Sequence, residues 1–326
     1  MKKIVLSVDI GKWETEITGR DIALTSDDVK TESLRTKLYD LEEGYIDCEG
    51  EDSHLVEFNG KSYIVGAQGK DKSDDTSKTH FLHQIACYTA ITKFLEPGTK
   101  ENEIYMVLAC PLSVLLIQKA KEEYKQFIKG DGVIKIKVDD KDFEFEIKDI
   151  MIKAEGSGIV YLEPKRFKDK TVAILDLGGL NLGFSLYVNG ACKKEDRFIE
   201  ECGTDRLLEI VREQLSEYKA GNLVKEDIAE KALKDGGLKK AGEIDKESCK
   251  YVLKAKELYW EEVLKYVKAH KYNLDNADEV VVVGGTTQHI KDNVEKTLKH
   301  AYVPEKSQLA TVNGLYKVAF KKYGDK

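Results

Sequence analysis

The first half of the chain carries short apolar runs and period-two alternation, the marks of strands. "KIVLSVD" and "ETEITGRD" read as an antiparallel pair around a turn at Gly11. "LVEFNGKSYIVG" reads as a hairpin with Asn59-Gly60 at its tip, a dipeptide that suits a two-residue turn. Helical spacing starts at about Thr79 in "DDTSKTHFLHQIACYTAITKFL". "NEIYMVLAC" is the next strand, and "LSVLLIQKAKEEYKQFI" a helix entered through Pro111. "VIKIKVDDKDFEFEIKDIMIKAEG" alternates on both sides of "DDKD" and predicts a hairpin running into a further strand. "SGIVYLEP" predicts a short helix ended by Pro164.

The polar stretch "KRFKDK" marks a domain boundary. The second half opens with "VAILDLGGLNLGFSLYVNG": a buried-type strand, a turn holding Asp176, Gly178 and Gly179, and a second strand. Asp9 and Gly11 hold the corresponding places at the N-terminus. The two copies stand about half a chain apart, as expected of a duplicated domain. Helices dominate afterwards: "TDRLLEIVREQLSEY", "VKEDIAEKALKD" and the long "DKESCKYVLKAKELYWEEVLKYVKAH", whose apolar stripe reads as core packing. A strand, "DEVVVVGG", a helix, "TQHIKDNVEKTL", and a last helix, "QLATVNGLYKVAFKKY", follow.

Composition narrows the class. The 326 residues are 41% hydrophobic and 34% charged, a globular balance long enough for two well-buried cores. The net charge of −7 argues against direct nucleic-acid binding, which needs a basic stripe to neutralise phosphates. Lys2 and Lys3 precede only a short apolar run broken by Asp9, so no signal peptide is expected. "MVLACPLSVLLI" is too short to span a bilayer, so no membrane partner is expected and the location is cytoplasmic. The six cysteines form no C-x-x-C pair and read as reduced structural thiols. His80, His83, His289 and His300 read as scattered on helical surfaces. Neither G-x-S-x-G nor G-x-x-x-x-G-K-[ST] occurs, which removes serine hydrolases and P-loop enzymes.

The candidate chemistry lies in the repeated turns. Each aspartate follows a run of buried-type residues, where an unpaired carboxylate is expensive. Glycines at Gly11, Gly178 and Gly179 let backbone N–H groups approach phosphate oxygens. Asp9 and Asp176 repel phosphate but suit Mg²⁺, held through its water shell. A third turn, Gly284-Gly285, ends the valine strand and opens a helix, in a place to meet a nucleoside. Together these parts fit a nucleoside triphosphate. Lys12 either reaches a phosphate as a point charge or stays solvated in its loop. Trp13 reads as packing.

At this point the residues resemble a family. "SVDIGKWETEI", "ILDLGGLNLGF" and "VVVVGGTTQHI" are similar to the two phosphate loops and the adenosine loop of the actin, sugar-kinase and heat-shock ATPase superfamily. The size, "VLACPLS" and "LATVNGLYKVAF" look most like the bacterial actin-like proteins of the ParM plasmid-segregation group. The resemblance runs from Met1 to about Tyr323. It implies an α/β, actin-like two-domain fold built from duplicated ribonuclease H-like domains, with the nucleotide in the interdomain cleft. Domain I would be residues 1–168 with about 306–326, and domain II residues 169–305. It implies an ATP hydrolase that needs Mg²⁺, with Glu155 of "IKAEGSG" orienting the attacking water and Asp176 as its catalytic metal-holding partner. It matches Glu230 to the acidic residue that meets the ribose, and Asn313-Gly314 to a segment at the hinge between lobes. It further implies self-assembly into filaments that move plasmid DNA through a DNA-binding adapter protein.

Two departures from the pattern stand out. Leu180 and Asn181 replace the usual threonines of the second loop, so a hydroxyl contact is lost, although the Asn181 amide can donate to phosphate. Lys12 and Trp13 stand in the first loop where small or hydroxyl residues are common. The loops do not choose between ATP and GTP. Two rivals stay open: a sugar or acid kinase of the same superfamily, and a cytoskeletal scaffold that does not hydrolyse nucleotide. "KAEGSG" lacks the Asn-Asp-type motif that such kinases use.

Overall fold

The computed structural model describes residues 2–25, 28–73 and 77–324. The chain divides into two compact units, Met1–Pro164 with Leu309–Lys326, and Lys165–Gln308.

In the first unit, β1 (Lys2–Ile10) turns through Gly11 into β2 (Glu14–Asp21), and the two pair antiparallel from Ile4↔Asp21 to Ile10↔Thr15. A nine-stranded sheet grows around them. β3 (Lys30–Arg35) adds outside β2, and β7 (Asn102–Cys110) pairs parallel with β1 on the other side. β9 (Lys141–Ala154) pairs parallel with β7, and β8 (Val133–Val138) pairs antiparallel with β9. The hairpin of β5 (Ser53–Phe58) and β6 (Lys61–Gly66), with β4 (Leu38–Asp40), completes the far edge.

Helices cover both faces of this sheet, which explains why β1 reads as an unbroken apolar run. Ile4, Leu6, Val8 and Ile10 pack with the buried residues of α1 (Phe81–Thr92) and α3 (Gln118–Lys129). Val5, with Val107 and Ala109 of β7, packs instead against Leu315, Tyr316 and Ala319 of the last helix, α10 (Ala310–Tyr323).

The second unit repeats the plan. β10 (Thr171–Leu177) pairs antiparallel with β11 (Leu182–Val188), which pairs with β12 (Arg197–Glu200). β10 also pairs parallel with β15 (Glu279–Val283), and β15 with β16 (Ala301–Tyr302). The order β12-β11-β10-β15-β16 matches β3-β2-β1-β7-β9, strand for strand and direction for direction. The longer helices described in this unit are α6 (Thr204–Tyr218), α7 (Glu226–Asp235), α8 (Lys246–Ala269) and α9 (Thr287–Thr297). Trp260 on α8 donates its indole N–H to Thr297 Oγ1 of α9 at 2.7 Å, tying two of them together.

Several elements differ in detail from the sequence reading. The helix expected over "LSVLLIQKAKEEYKQFI" is two pieces, α2 (Leu112–Leu115) and α3. Ile117 breaks them with an extended backbone, φ −112° and ψ 106°. The segment beyond "DDKD" is one continuous strand. Its pairing with β7 slips one residue between Ile104 and Tyr105, a bulge that absorbs Lys148. Asp139 and Asp140 make the tight turn with φ of 50° and 60°, a role usually given to Asn-Gly. Pro164 does not end the short helix α4 (Gly158–Leu162); it opens the next turn, α5 (Pro164–Phe167). His83 is fully buried, so it is not a surface histidine.

Candidate functional site

The first turn owes its shape to β1 and β2. Asp9, one residue from the end of β1, stands opposite Glu16, and both continue into the ladder. A Cβ on Gly11 would lie 2.3 Å from the Glu14 carbonyl oxygen, so only glycine lets the chain double back here. Lys12 and Trp13 are half-buried in the turn. The Arg35 guanidinium lies 4.0 Å from the centre of the Trp13 ring and the Lys72 ammonium 4.7 Å from it. Trp13 is thus engaged by two cations of its own unit.

β1, β7 and β9 run parallel, so their carboxyl ends share one edge of the sheet, where α/β proteins place ligands. Glu155 is the first residue beyond β9 at that edge. Its N–H donates to the Cys110 carbonyl at 2.9 Å, which extends the β7–β9 ladder by one bond. The next residues fix the turn. Gly156 N–H donates to Thr311 Oγ1 at 3.2 Å, and Ser157 Oγ to the Ala154 carbonyl at 2.6 Å. α4 then crosses α10 at glycines: a Cβ on Gly314 would lie 1.8 Å from the Gly158 carbonyl oxygen. The helical glycine of "TVNGLY" therefore serves close packing. Its neighbour Asn313 accepts hydrogen bonds through Oδ1 from Thr18 Oγ1 at 2.8 Å and Thr31 Oγ1 at 3.1 Å.

Lys78 joins these parts and was missed in the sequence. Its ammonium is 3.5 Å from Glu155 Oε1 and donates to the carbonyl of Ile10, the residue after Asp9. Cys110 lies under the same group. Burial pushes its thiol well up, Glu155 adds to the rise, Lys78 and Lys121 oppose it, and Asp9 adds again. The thiol is therefore kept protonated, and a reactive role for it is removed. Nothing in the residue type or spacing of "SKTH" marks this lysine, because its partners are remote in sequence.

The second unit builds its turn in the same way and then ties it down. Asp176 stands opposite Gly183 of β11 and Val283 of β15. Gly178 N–H donates to the Asn181 carbonyl at 2.9 Å, closing the turn. The outward carbonyls are then taken up: Gly178 O accepts from Thr204 N–H at 3.0 Å and Thr286 Oγ1 at 2.9 Å, and Gly179 O from Asp205 N–H at 3.0 Å. The Thr204 and Thr286 hydroxyls are 2.7 Å apart and buried. These two threonines, also missed in the sequence, lock the Gly178-Gly179 turn to the start of α6 and to the Gly284-Gly285 turn before α9. Gly284 has φ +94°, and a Cβ there would stand 2.3 Å from the Leu177 carbonyl oxygen and 2.8 Å from Asp176 Oδ1. Glycine avoids both clashes. Asp176, Gly178, Gly179, Asn181, Gly284 and Gly285 are therefore brought into one place. Glu230 is half-buried on α7, beside the buried Ala229.

The structure thus assembles two clusters, one per unit: Asp9, Gly11, Lys78 and Glu155 in the first, and Asp176 with its two glycine turns in the second. Among the described residues, no group of three or more His, Cys, Asp or Glu side chains is placed to hold a metal. A lone carboxylate in a turn is chemically compatible with Mg²⁺, an ion that keeps most of its waters. No helix among the described residues is long and apolar enough to cross a membrane.

Comparison with known proteins agrees with this plan. The family model described as "Actin like proteins N terminal domain" matches residues 7–158. The solved structure "Alp12 filament structure" is 47% identical, with 99% of this chain and 100% of that chain covered and a TM-score of 0.71. Ta0583, an archaeal actin homolog crystallised in complex with ADP, is 14% identical, covering 98% of this chain and 100% of its own with a TM-score of 0.73. A ParM from Clostridium botulinum, solved as a 15-stranded filament, is 13% identical over 98% of this chain and 99% of its own, with a TM-score of 0.75. No curated protein sequence matches the chain. The two distant structures share the fold, and the Alp12 identity extends over essentially the whole length. The chain belongs to the family of actin-like proteins.

Proposed function

We propose that the chain is a filament-forming, Mg²⁺-dependent ATPase that moves plasmid DNA through a separate DNA-binding adapter. The observation that carries the reading is the placement of Glu155. It is a half-buried carboxylate fixed by backbone at the carboxyl ends of the three parallel strands β1, β7 and β9, on the same edge as the Asp9 turn. A carboxylate held there accepts a hydrogen bond from a water and so aims the lone pair of the water oxygen at a phosphoryl group. The turns after β1 and β10 offer backbone N–H groups to phosphate oxygens, and the Gly284-Gly285 turn meets the nucleoside. Asp9 and Asp176 are the carboxylates that would hold Mg²⁺, each from the turn of its own unit. The ion, when bound, neutralises charge on the phosphates. Domain I takes in residues 1–168 with about 306–326, and domain II residues 169–305.

Filament formation is supported by the 47% identity to Alp12, a protein solved as a filament. The acidic net charge of −7 favours an adapter over direct contact with DNA. The test pairs phosphate release with light scattering after addition of Mg-ATP or Mg-GTP. Scattering that rises with nucleotide and decays as free phosphate appears is the expected course. Scattering without phosphate release would leave only a scaffold, and a phosphorylated small molecule as product would make the protein a kinase.

A further inference from the structure

Lys78 is the one residue of the first cluster to which the proposed reaction gives no task, and its surroundings are costly. It is only 4% exposed. A buried ammonium is tolerated only when it is paired and hydrogen-bonded. Its backbone has φ +62°, in the left-handed region that a lysine rarely adopts. Strain of this kind persists where the surroundings over-determine a residue, and it gathers at functional sites. The two partners of the ammonium explain the position. Ile10 ends β1 and Glu155 follows β9, while β7 lies between those strands. The side chain thus spans the carboxyl edge from β1 to β9, above Cys110 at the end of β7.

We infer that Lys78 is the positioning residue for Glu155, clamping its carboxylate to the Asp9 turn so that the aim of the attacking water is fixed relative to the phosphates. This rests on the reading of Glu155 as the residue that orients water. Backbone bonds hold the Glu155 main chain, yet a glutamate side chain has three rotatable bonds beyond Cα. One oxygen is tethered by the ammonium, and the other is left to address water. The same ammonium holds the Ile10 carbonyl, so the acid and the first phosphate turn share one anchor.

The experiment is a double-mutant cycle on the full chain: Lys78→Met, Glu155→Gln and the pair. Phosphate release, ATP affinity and thermal stability are measured for each. A misaimed water costs about 10- to 100-fold in rate, so Lys78→Met should slow phosphate release by that factor with ATP affinity little changed. Added to Glu155→Gln it should slow release no further, because a residue acting through Glu155 has nothing left to position. Lys78→Arg keeps the charge but shifts its donors, and should give an intermediate loss that also vanishes in the Glu155→Gln background. It carries the comparison should Lys78→Met fail to fold. Additive rate losses, loss of ATP affinity, or a change in stability alone would overturn the inference. If Glu155→Gln by itself leaves the rate unchanged, the catalytic reading of Glu155 fails first and the role of Lys78 falls with it.

Discussion

Asp176 and His289 show how single side chains can be read against their surroundings. Asp176 stands at the end of a buried strand, beside a glycine whose Cβ would crowd its carboxylate. The proposed function gives this acid the task of holding the metal. Asp176→Ala is expected to abolish the strengthening of ATP binding by Mg²⁺ and to cut turnover, since phosphate charge is then less well neutralised. Calorimetric titration with ATP, with and without Mg²⁺, checks it; equal affinities in mutant and parent under both conditions would refute the metal assignment. His289 lies in the first turn of α9. Burial, and secondarily the Lys256 ammonium of α8, lower its pKa to about 4. The unfolded chain binds this proton at about 6.5. Between those values the unfolded state holds more protons, so stability is full above pH 6.5 and is lost as pH falls toward 4. Thermal unfolding across that range should show the loss, and His289→Gln should flatten it.

Elements meet where side chains vanish. The crossing of α4 and α10 at Gly158 and Gly314 sets the turn that carries Glu155, because Thr311 of α10 accepts from Gly156. Gly314→Ala would gain up to ~1 kcal/mol of helix propensity. It would also place a methyl 1.8 Å from a backbone carbonyl that cannot swing away. Overpacking of this kind costs about 1–3 kcal/mol, occasionally more, so the clash wins. The expected result is a net loss of about 1–2 kcal/mol in denaturant unfolding, with slower phosphate release as Glu155 shifts. A stability equal to or above that of the parent would show that the two helices do not need this contact. The bulge at Lys148 belongs to the same scale: it keeps Ile150 in the core that Phe143, Phe145 and Ile147 enter, whereas the break at Ile117 leaves Leu116 and Ile117 exposed.

At the scale of the molecule, nucleotide state and assembly are coupled in the proposed reading, so the hydrolytic acid should control polymer lifetime. Glu155→Ala should slow phosphate release by roughly 10²-fold or more, about 3 kcal/mol of barrier at ~1.4 kcal/mol per decade. ATP binding and assembly should survive, and light scattering should persist longer after ATP is added. A helix-capping role would instead cost about 1 kcal/mol of fold stability and leave turnover near normal. Equal turnover in mutant and parent would sink the catalytic role.

The sequence by itself determined the strand plan, the hairpin at Asn59-Gly60 and the paired turns at Asp9 and Asp176. Those signals are local: side-chain period, glycine at the tight turn, an acid where the apolar run stops. It also carried Gly178, Gly179, Gly284 and Gly285 in the right order, since each closes a strand. Only the tertiary structure decided what surrounds them. Lys78 reaches Glu155 across a strand, and Thr204 and Thr286 meet over the Gly178 carbonyl from residues 82 positions apart. The helical glycine at 314 has its reason in Gly158, far away in the chain. The continuous β9 and the split between α2 and α3 were illegible for a related reason. The bulge moves the buried positions from Phe143, Phe145 and Ile147 to Ile150 and Ala154, and the break leaves Leu116 and Ile117 exposed inside an apolar run; both are set by which neighbour the strand or helix must fit.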